Sequence, residues 1–369
     1  DLKPHKDLSL KLIGSAYSTF ETETFDLQEQ YFFGIRNTSI GSADLGEVTN
    51  NYEVGTLTRH ARNAFYAQVY NIDHKGLYAY NNCLLKWGLR FQHQVIDDAV
   101  DEWQMMDSAG YSLPQPYGYP GVMPDILPGI GMDFVHRTNN ALSINNVDGF
   151  VQNSWTLPYK DKGEIVITGG LRANYWGYIN KVYVSPRAGI AYKPENEKNE
   201  TVYRLSGGVY NQMPFYREIR NRDGGLYKDA NAQMSYQVVA GNDFKFRAFD
   251  RPFILTTELY FKWFTHVVPY DIDNVRIRYY ADQSARAYAT GLDLKVNGEF
   301  VKGIDSWASL SLMDTREDIR GDYCVVDANG NRLPFYNHSD NQVADTVWLG
   351  WHSRPSNQLL NFSLFFQDY

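Results

Sequence analysis

The sequence predicts an all-β fold, an antiparallel β-barrel that crosses a membrane. Three observations carry this: long runs of strict alternation, an excess of aromatic rings, and linkers that switch between short and long. Reading for a period of two gives about fourteen strands and almost no helical pattern. In the clearest run, Phe253, Leu255, Thr257, Leu259, Phe261 and Trp263 share one face, while Thr256, Glu258, Tyr260 and Lys262 take the other. The next run sets Tyr288, Leu292, Leu294, Val296 and Phe300 against Asp293, Lys295, Asn297 and Glu299. Leu85, Trp87, Leu89, Phe91 and Val95 alternate with Lys86, Arg90, Gln92 and Gln94, and the last run opposes Leu360, Phe362, Leu364 and Phe366 to Asn361, Ser363 and Gln367.

Alternation alone also fits a soluble sandwich, so strand length and linkers must separate the two. The runs often reach about 12 residues, against about 5–6 in ordinary globular strands, and a tilted strand needs about 9–11 to cross the hydrocarbon. Short linkers are expected at 74–76, 158–163, 194–199, 250–252, 302–305 and 355–357. Long ones are expected at 37–58, 99–140, 211–234, 266–285 and 317–344, with 179–184 short on the long side. Short turns on one rim and long loops on the other is the outer-membrane pattern; a sandwich has no cause to sort its loops this way.

Aromatic residues make up 15% of the 369, with 28 Tyr and 8 Trp, a composition suited to places where one end of a ring is apolar and the other wet. Tyr175, Trp176, Tyr178, Trp263, Phe264, Trp348 and Trp351 fall where interfacial girdles belong. A net charge of −8 without a basic stripe argues against nucleic acid as a partner. Cys83 and Cys324 are too few for a disulfide scaffold and lack metal-site spacing. No run of about 18 apolar residues offers a transmembrane helix, which leaves membrane strands untouched. There is no signal peptide at Asp1 and strand begins by Leu8, as if the chain were cut from a longer one.

Specific strings then carry a resemblance. Cys83 to Asp98 (CLLKWGLRFQHQVIDD) with Glu102-Trp103 and Asp107 to Tyr111, the SPRAGIAYKP string from Ser185, and Arg204 to Tyr210 with Pro214-Phe215-Tyr216 resemble barrel strands of TonB-dependent outer-membrane receptors of the Bacteroidetes type. Tyr270 to Tyr280 and Ala289 to Lys295 are similar to late strands of such barrels. The resemblance implies a barrel of about 22 strands around an N-terminal plug. It implies energy-coupled uptake of a scarce ligand such as an iron chelate, cobalamin, a glycan or a peptide. The implied partners are outer-membrane lipid, the TonB complex and a surface lipoprotein. Residues 1–369 would be one barrel segment without plug or TonB box, and Gln367 breaks the apolar series expected to close on Tyr369. A passive porin-like channel and a soluble carbohydrate-binding β protein are the alternatives.

No catalysis, cofactor or metal is expected: Gly-x-Ser-x-Gly, His-Glu-x-x-His and phosphate-loop patterns are missing, and the eight His are scattered. His93 lies on an apolar strand face, where an interfacial role fits better than ligation. Lumen-facing positions are expected at Arg90, Arg172, Glu258, Lys262, Asp293, Lys295 and Glu299. Ligand contact is expected from the 99–140 linker, where Trp103, Tyr111, Tyr117, Tyr119, Met123 and Asp125 sit among Pro and Gly. Rings on a stiffened loop form a stacking surface at small entropic cost.

Overall fold

The computed structural model describes residues 2–39, 42–107, 131–159, 162–195, 200–273, 276–301, 303–326, 328–330 and 345–367. Strands follow one another as β1 (Leu2–His5), β2 (Leu8–Arg36), β3 (Val48–Tyr80), β4 (Cys83–Asp107), β5 (Gly131–Pro158), β6 (Gly163–Trp176), β7 (Lys181–Pro194), β8 (Thr201–Gln212), β9 (Gln233–Ala248) and β10 (Arg251–Val267). Then come β11 (Tyr270–Asp273), β12 (Arg276–Tyr279), β13 (Ala285–Val301), β14 (Ile304–Ile319), β15 (Tyr323–Val326), β16 (Asp345–Trp348), β17 (His352–Ser353) and β18 (Leu360–Gln367). Fourteen of them form one antiparallel sheet in chain order; β11–β12 and β15–β16 are separate two-stranded hairpins. The path stays open among the described residues, since no pairing joins its two edges.

Every neighbour pairs antiparallel, so the alternation propagates from strand to strand and defines two continuous faces. Leu12, Ile72, Leu89, Val151, Leu171, Ile190, Leu205, Val238, Leu259 and Phe362 all lie exposed on one of them. Leu259 is 58% and Phe261 49% accessible, values no apolar core would allow. The opposite face carries charges in pairs: Arg90 on Asp73 at 2.6 Å, and Arg204 on Asp243 at 2.6 Å and Glu258 at 3.2 Å. Lys295 lies over the Trp307 ring there, and Glu258 stands opposite Asp293 in register. The expected inward positions are thus borne out for Arg90, Glu258, Asp293 and Lys295. Because residues 213–232 fold against this second face, it is the inner one.

Rings mark the outer face near both rims. Phe244, Phe246, Phe253 and Phe300 stack in sequence 5.6 Å apart beside the short turns, and Trp351 packs on Trp263 and Tyr288 at the opposite end. His93 donates to or accepts from Asn145 at 2.8 Å and stacks with Tyr70, an interfacial arrangement. Trp176 departs from its expected girdle position. It faces inward, 3% accessible, against Tyr216 and Ile219.

Several turns fall elsewhere than the composition suggests. The chain runs straight through 74–76, and the turn comes at Asn81, whose φ of 48° an asparagine tolerates. Gly76 serves packing instead: a Cβ there would lie 2.0 Å from the Trp87 ring opposite. The 250–252 turn sits at Phe249 and Asp250, both at positive φ. Residues 355–357 form no rim turn at all. β17 and β18 pair with the same edge of β14, and the segment between them bulges, with Asn357 Oδ1 accepting from the Thr315 amide at 3.0 Å. Tyr270 to Tyr280, similar to a wall strand in sequence, makes its own hairpin instead. The 37–58 and 99–140 linkers shrink as well, because β2 to β5 run on for 25–33 residues.

Candidate functional site

The inner face encloses a chamber of about 1350 Å³ whose wall includes Tyr17, Thr19, Gln92, Gln94, Asn146, Asp148, Arg172 and Asn174. All occupy the inward phase of their strands, and they bond along the wall. Gln94 donates to Gln92 at 2.6 Å, Gln92 to Asn71 at 2.8 Å, and Asn71 to Ser15 at 3.3 Å, while Asn174 donates to Asp148. Such a wall presents amide donors and acceptors with few net charges, so it can hold a polar ligand without a large desolvation cost.

Two loops roof the chamber. The first, between β8 and β9, holds a single 3₁₀ turn at Tyr216–Ile219. Ile219, 2% accessible, and Tyr216 pack against Phe65, Ala67, Ile96, Leu142 and Trp176, and burying one such side chain contributes about 2 kcal/mol. Tyr216 donates its hydroxyl to Asp98 at 2.8 Å, and Arg220 pairs with the same carboxylate at 3.0 Å. Burial and Asp98 together push the Tyr216 hydroxyl far above its usual range, so it remains a donor. Gly224, at φ 87°, comes so close to Thr138 that a Cβ would meet its hydroxyl at 2.5 Å; the Gly224 carbonyl accepts from Asn140 at 2.7 Å. Glu218 accepts from the Phe215 amide at 3.1 Å and from Gln233 at 2.9 Å.

The second loop carries the β11–β12 hairpin across the interior. Arg276 reaches Glu23 of β2 at 2.7 Å and Glu102 of β4 at 2.5 Å, and Asn63 donates to both carboxylates at 3.0 and 2.7 Å. Phe215 meets Tyr279 edge-on at 5.3 Å, and Arg222 bonds the Tyr280 hydroxyl at 3.1 Å, joining the two loops. A cavity of about 480 Å³ remains between loops and wall, bordered by Glu21, Glu23, Asp98 and Glu102 on the wall and by Arg217, Arg220 and Arg276 on the loops.

Of the sequence-derived ligand contacts, only Trp103 falls within the described residues; Tyr111, Tyr117, Tyr119, Met123 and Asp125 lie outside them. Trp103 points to the outer face, above the apolar band. Its ring stacks on His60 at 4.8 Å and 14°, beside Arg62, which binds Asp26 at 2.8 and 2.9 Å. Its neighbour Glu102 faces inward. The roof residues Tyr216, Glu218 and Arg276 were not among the expected ligand contacts: all three lie in expected linkers, and Tyr216 and Arg276 also fall in strings similar to wall strands. Their signal was the charge pattern, arginines at 217, 220, 222, 276 and 278 on loops against acids at 21, 23, 98 and 102 in one strand phase.

No family model and no curated protein matches the sequence. Among solved structures, the RagAB peptide transporter superposes at TM-score 0.50 and 11% identity, over 99% of this chain and 44% of the other. The copper transporter OprC gives TM-score 0.41 at 11% identity, over 87% and 55%, and the outer membrane transporter YddB from Escherichia coli 0.36 at 9%, over 87% and 58%. This chain therefore spans less than half the length of the RagAB chain it matches. At 11% identity the likeness to the RagAB transporter is one of fold. The chain has the barrel-wall fold seen over part of the RagAB peptide transporter.

Proposed function

We propose that the chain forms part of the wall of a TonB-dependent importer in a Gram-negative outer membrane, of the Bacteroidetes type, that takes up a scarce nutrient with external energy. One observation carries the reading. A polar chamber of about 1350 Å³ lies on the inner side of a sheet whose outer side presents an apolar band. Lipid surrounds the outer side, and the ligand passes on the inner one. The amide-lined wall suits a ligand with many donors and acceptors, such as a glycan or a peptide, above an apolar one. A plug domain and the TonB complex supply gating and energy, and a surface lipoprotein partner belongs to the same proposal. Tyr111, Tyr117, Tyr119 and Asp125 are retained as ligand contacts, and Trp103, whose ring faces outward, is set aside. No residue is assigned to catalysis.

A passive channel differs in one measurable respect, since its flux needs no energy. Uptake in cells lacking TonB falls to background on our reading, and uptake that persists at full rate would establish the channel instead. Deleting 111–125 abolishes uptake while barrel assembly is retained; unchanged uptake removes that segment from the ligand site.

A further inference from the structure

We propose that the β11–β12 hairpin is a gate over the chamber, held shut by Arg276 bridging Glu23 and Glu102 on the opposite wall. The inference rests on the reading of the inner face as a ligand pathway and adds the element that closes it. The hairpin leaves the wall between β10 and β13 yet bonds β2 and β4, which lie at the far end of the sheet's strand order. It therefore spans the interior instead of lining it. Its root and its two strands are held in different ways. Val267, Val268 and Pro269 at the root are buried, whereas Ile272 and Ile277 on the hairpin are 56% and 53% accessible. Apolar burial thus fixes the hinge, while the flap is held by Arg276, by Arg222 on the Tyr280 hydroxyl and by the edge contact of Tyr279 with Phe215. Ile277 and Tyr279 face the chamber, so swinging the flap away opens it.

The neighbouring β8–β9 loop is anchored by its own Ile219 and Tyr216 core, so opening the flap parts the Phe215–Tyr279 and Arg222–Tyr280 contacts that join the two loops. Arg276 is the contact that decides between the two positions. It is about one-fifth accessible, it pairs with two carboxylates, and its guanidinium also lies 5.3 Å from the Phe25 ring. A partly buried, charge-assisted contact of this kind is strong enough to hold a flap and reversible enough to release it.

The test uses the full-length protein in intact cells, with Cys83→Ser, Cys324→Ser and serine at any further cysteine of the full-length protein. Gln94→Cys then reports chamber access through its rate of labelling by a membrane-impermeant maleimide added outside. Arg276→Gln raises that rate about tenfold, the factor that goes with loss of one such contact. Glu23→Gln/Glu102→Gln, which neutralises the wall side, raises it equally, and the exchange Arg276→Glu/Glu102→Arg brings it back toward the starting value. Equal rates in all four proteins overturn the gate. A Leu89→Cys control, on the outer apolar face, stays unlabelled; labelling as fast as Gln94→Cys would remove the wall reading itself.

Discussion

Strands β2 to β5 and strands β6 to β8 obey the same alternation but differ twofold in height. The first group runs 25–33 residues and the second 12–14. Crossing the hydrocarbon takes about 9–11 residues, so the low sector is little more than a membrane wall and the tall one stands well clear of it. Chemistry changes where the heights diverge. On the outer face of the tall sector, Leu12, Ile72 and Leu89 lie in the lower band, and higher positions turn polar with Asp26, His60, Arg62, Asp101 and Arg137. On its inner face, acids appear at the same height, and the loops that rise from the low half of the wall bind them. The difference teaches that alternation sets the face while solvent sets the residue type: one strand phase is oily in lipid and ionic in water.

The largest effect follows from breaking that rule. Arginine at Phe261 or Leu294, outward and near mid-membrane, costs about 2–4 kcal/mol and blocks assembly. Arginine at Thr24, in the same outward phase but on the tall extension, leaves assembly unchanged. Outer-membrane fractionation with heat-modified gel mobility reads both. Equal behaviour of the Phe261→Arg and Thr24→Arg proteins would show that the two heights share one solvent.

A smaller effect tests how the tall wall holds the first roof loop. Asp98 is 2% accessible and satisfies both Tyr216 and Arg220. Asp98→Ala leaves Arg220 uncompensated and costs about 3 kcal/mol, confined to loop docking. Proteolysis near 217–222 then accelerates while strand pairing persists. Asp101→Ala, one position along and outward, has little effect, since the Arg137 pair it breaks is exposed. Protection lost equally in both variants would contradict the assignment of inner and outer faces.

The wall was legible in the sequence because a period of two survives any amount of hydrogen bonding: the faces of 253–263, 288–300 and 360–367 came out as read. Loop sorting was legible in outline and wrong in place. Gly76 and Pro355 look like turn residues, but one makes room for Trp87 and the other sits in a bulge beside β14. The height of β2 to β5 was hidden because polar outward residues above the membrane erase the alternation that reveals strands. The chamber roof was hidden for another reason. Tyr216 meets Asp98 across 118 positions and Arg276 meets Glu23 across 253, and no local pattern encodes such partners.

The finest test of the contrast between wall and roof is a titration. Glu218, buried in the roof, has its carboxyl pushed up by desolvation, only partly offset by Gln233 and the Phe215 amide. A carboxyl whose folded pKa lies above its unfolded value binds its proton more tightly in the docked loop. Its contribution is therefore complete below the ordinary carboxylate range and fades as pH rises through the elevated value. Protection factors of the 213–219 amides, with the intrinsic pH dependence of exchange divided out, should fall across that window, while those of β6 and β7 stay flat. In Glu218→Gln, which cannot ionise, the pH step in the loop disappears. A step that persists in Glu218→Gln would move the titrating group elsewhere in the roof, and a matching step in β6 or β7 would mean that the loop and the low wall open as one unit.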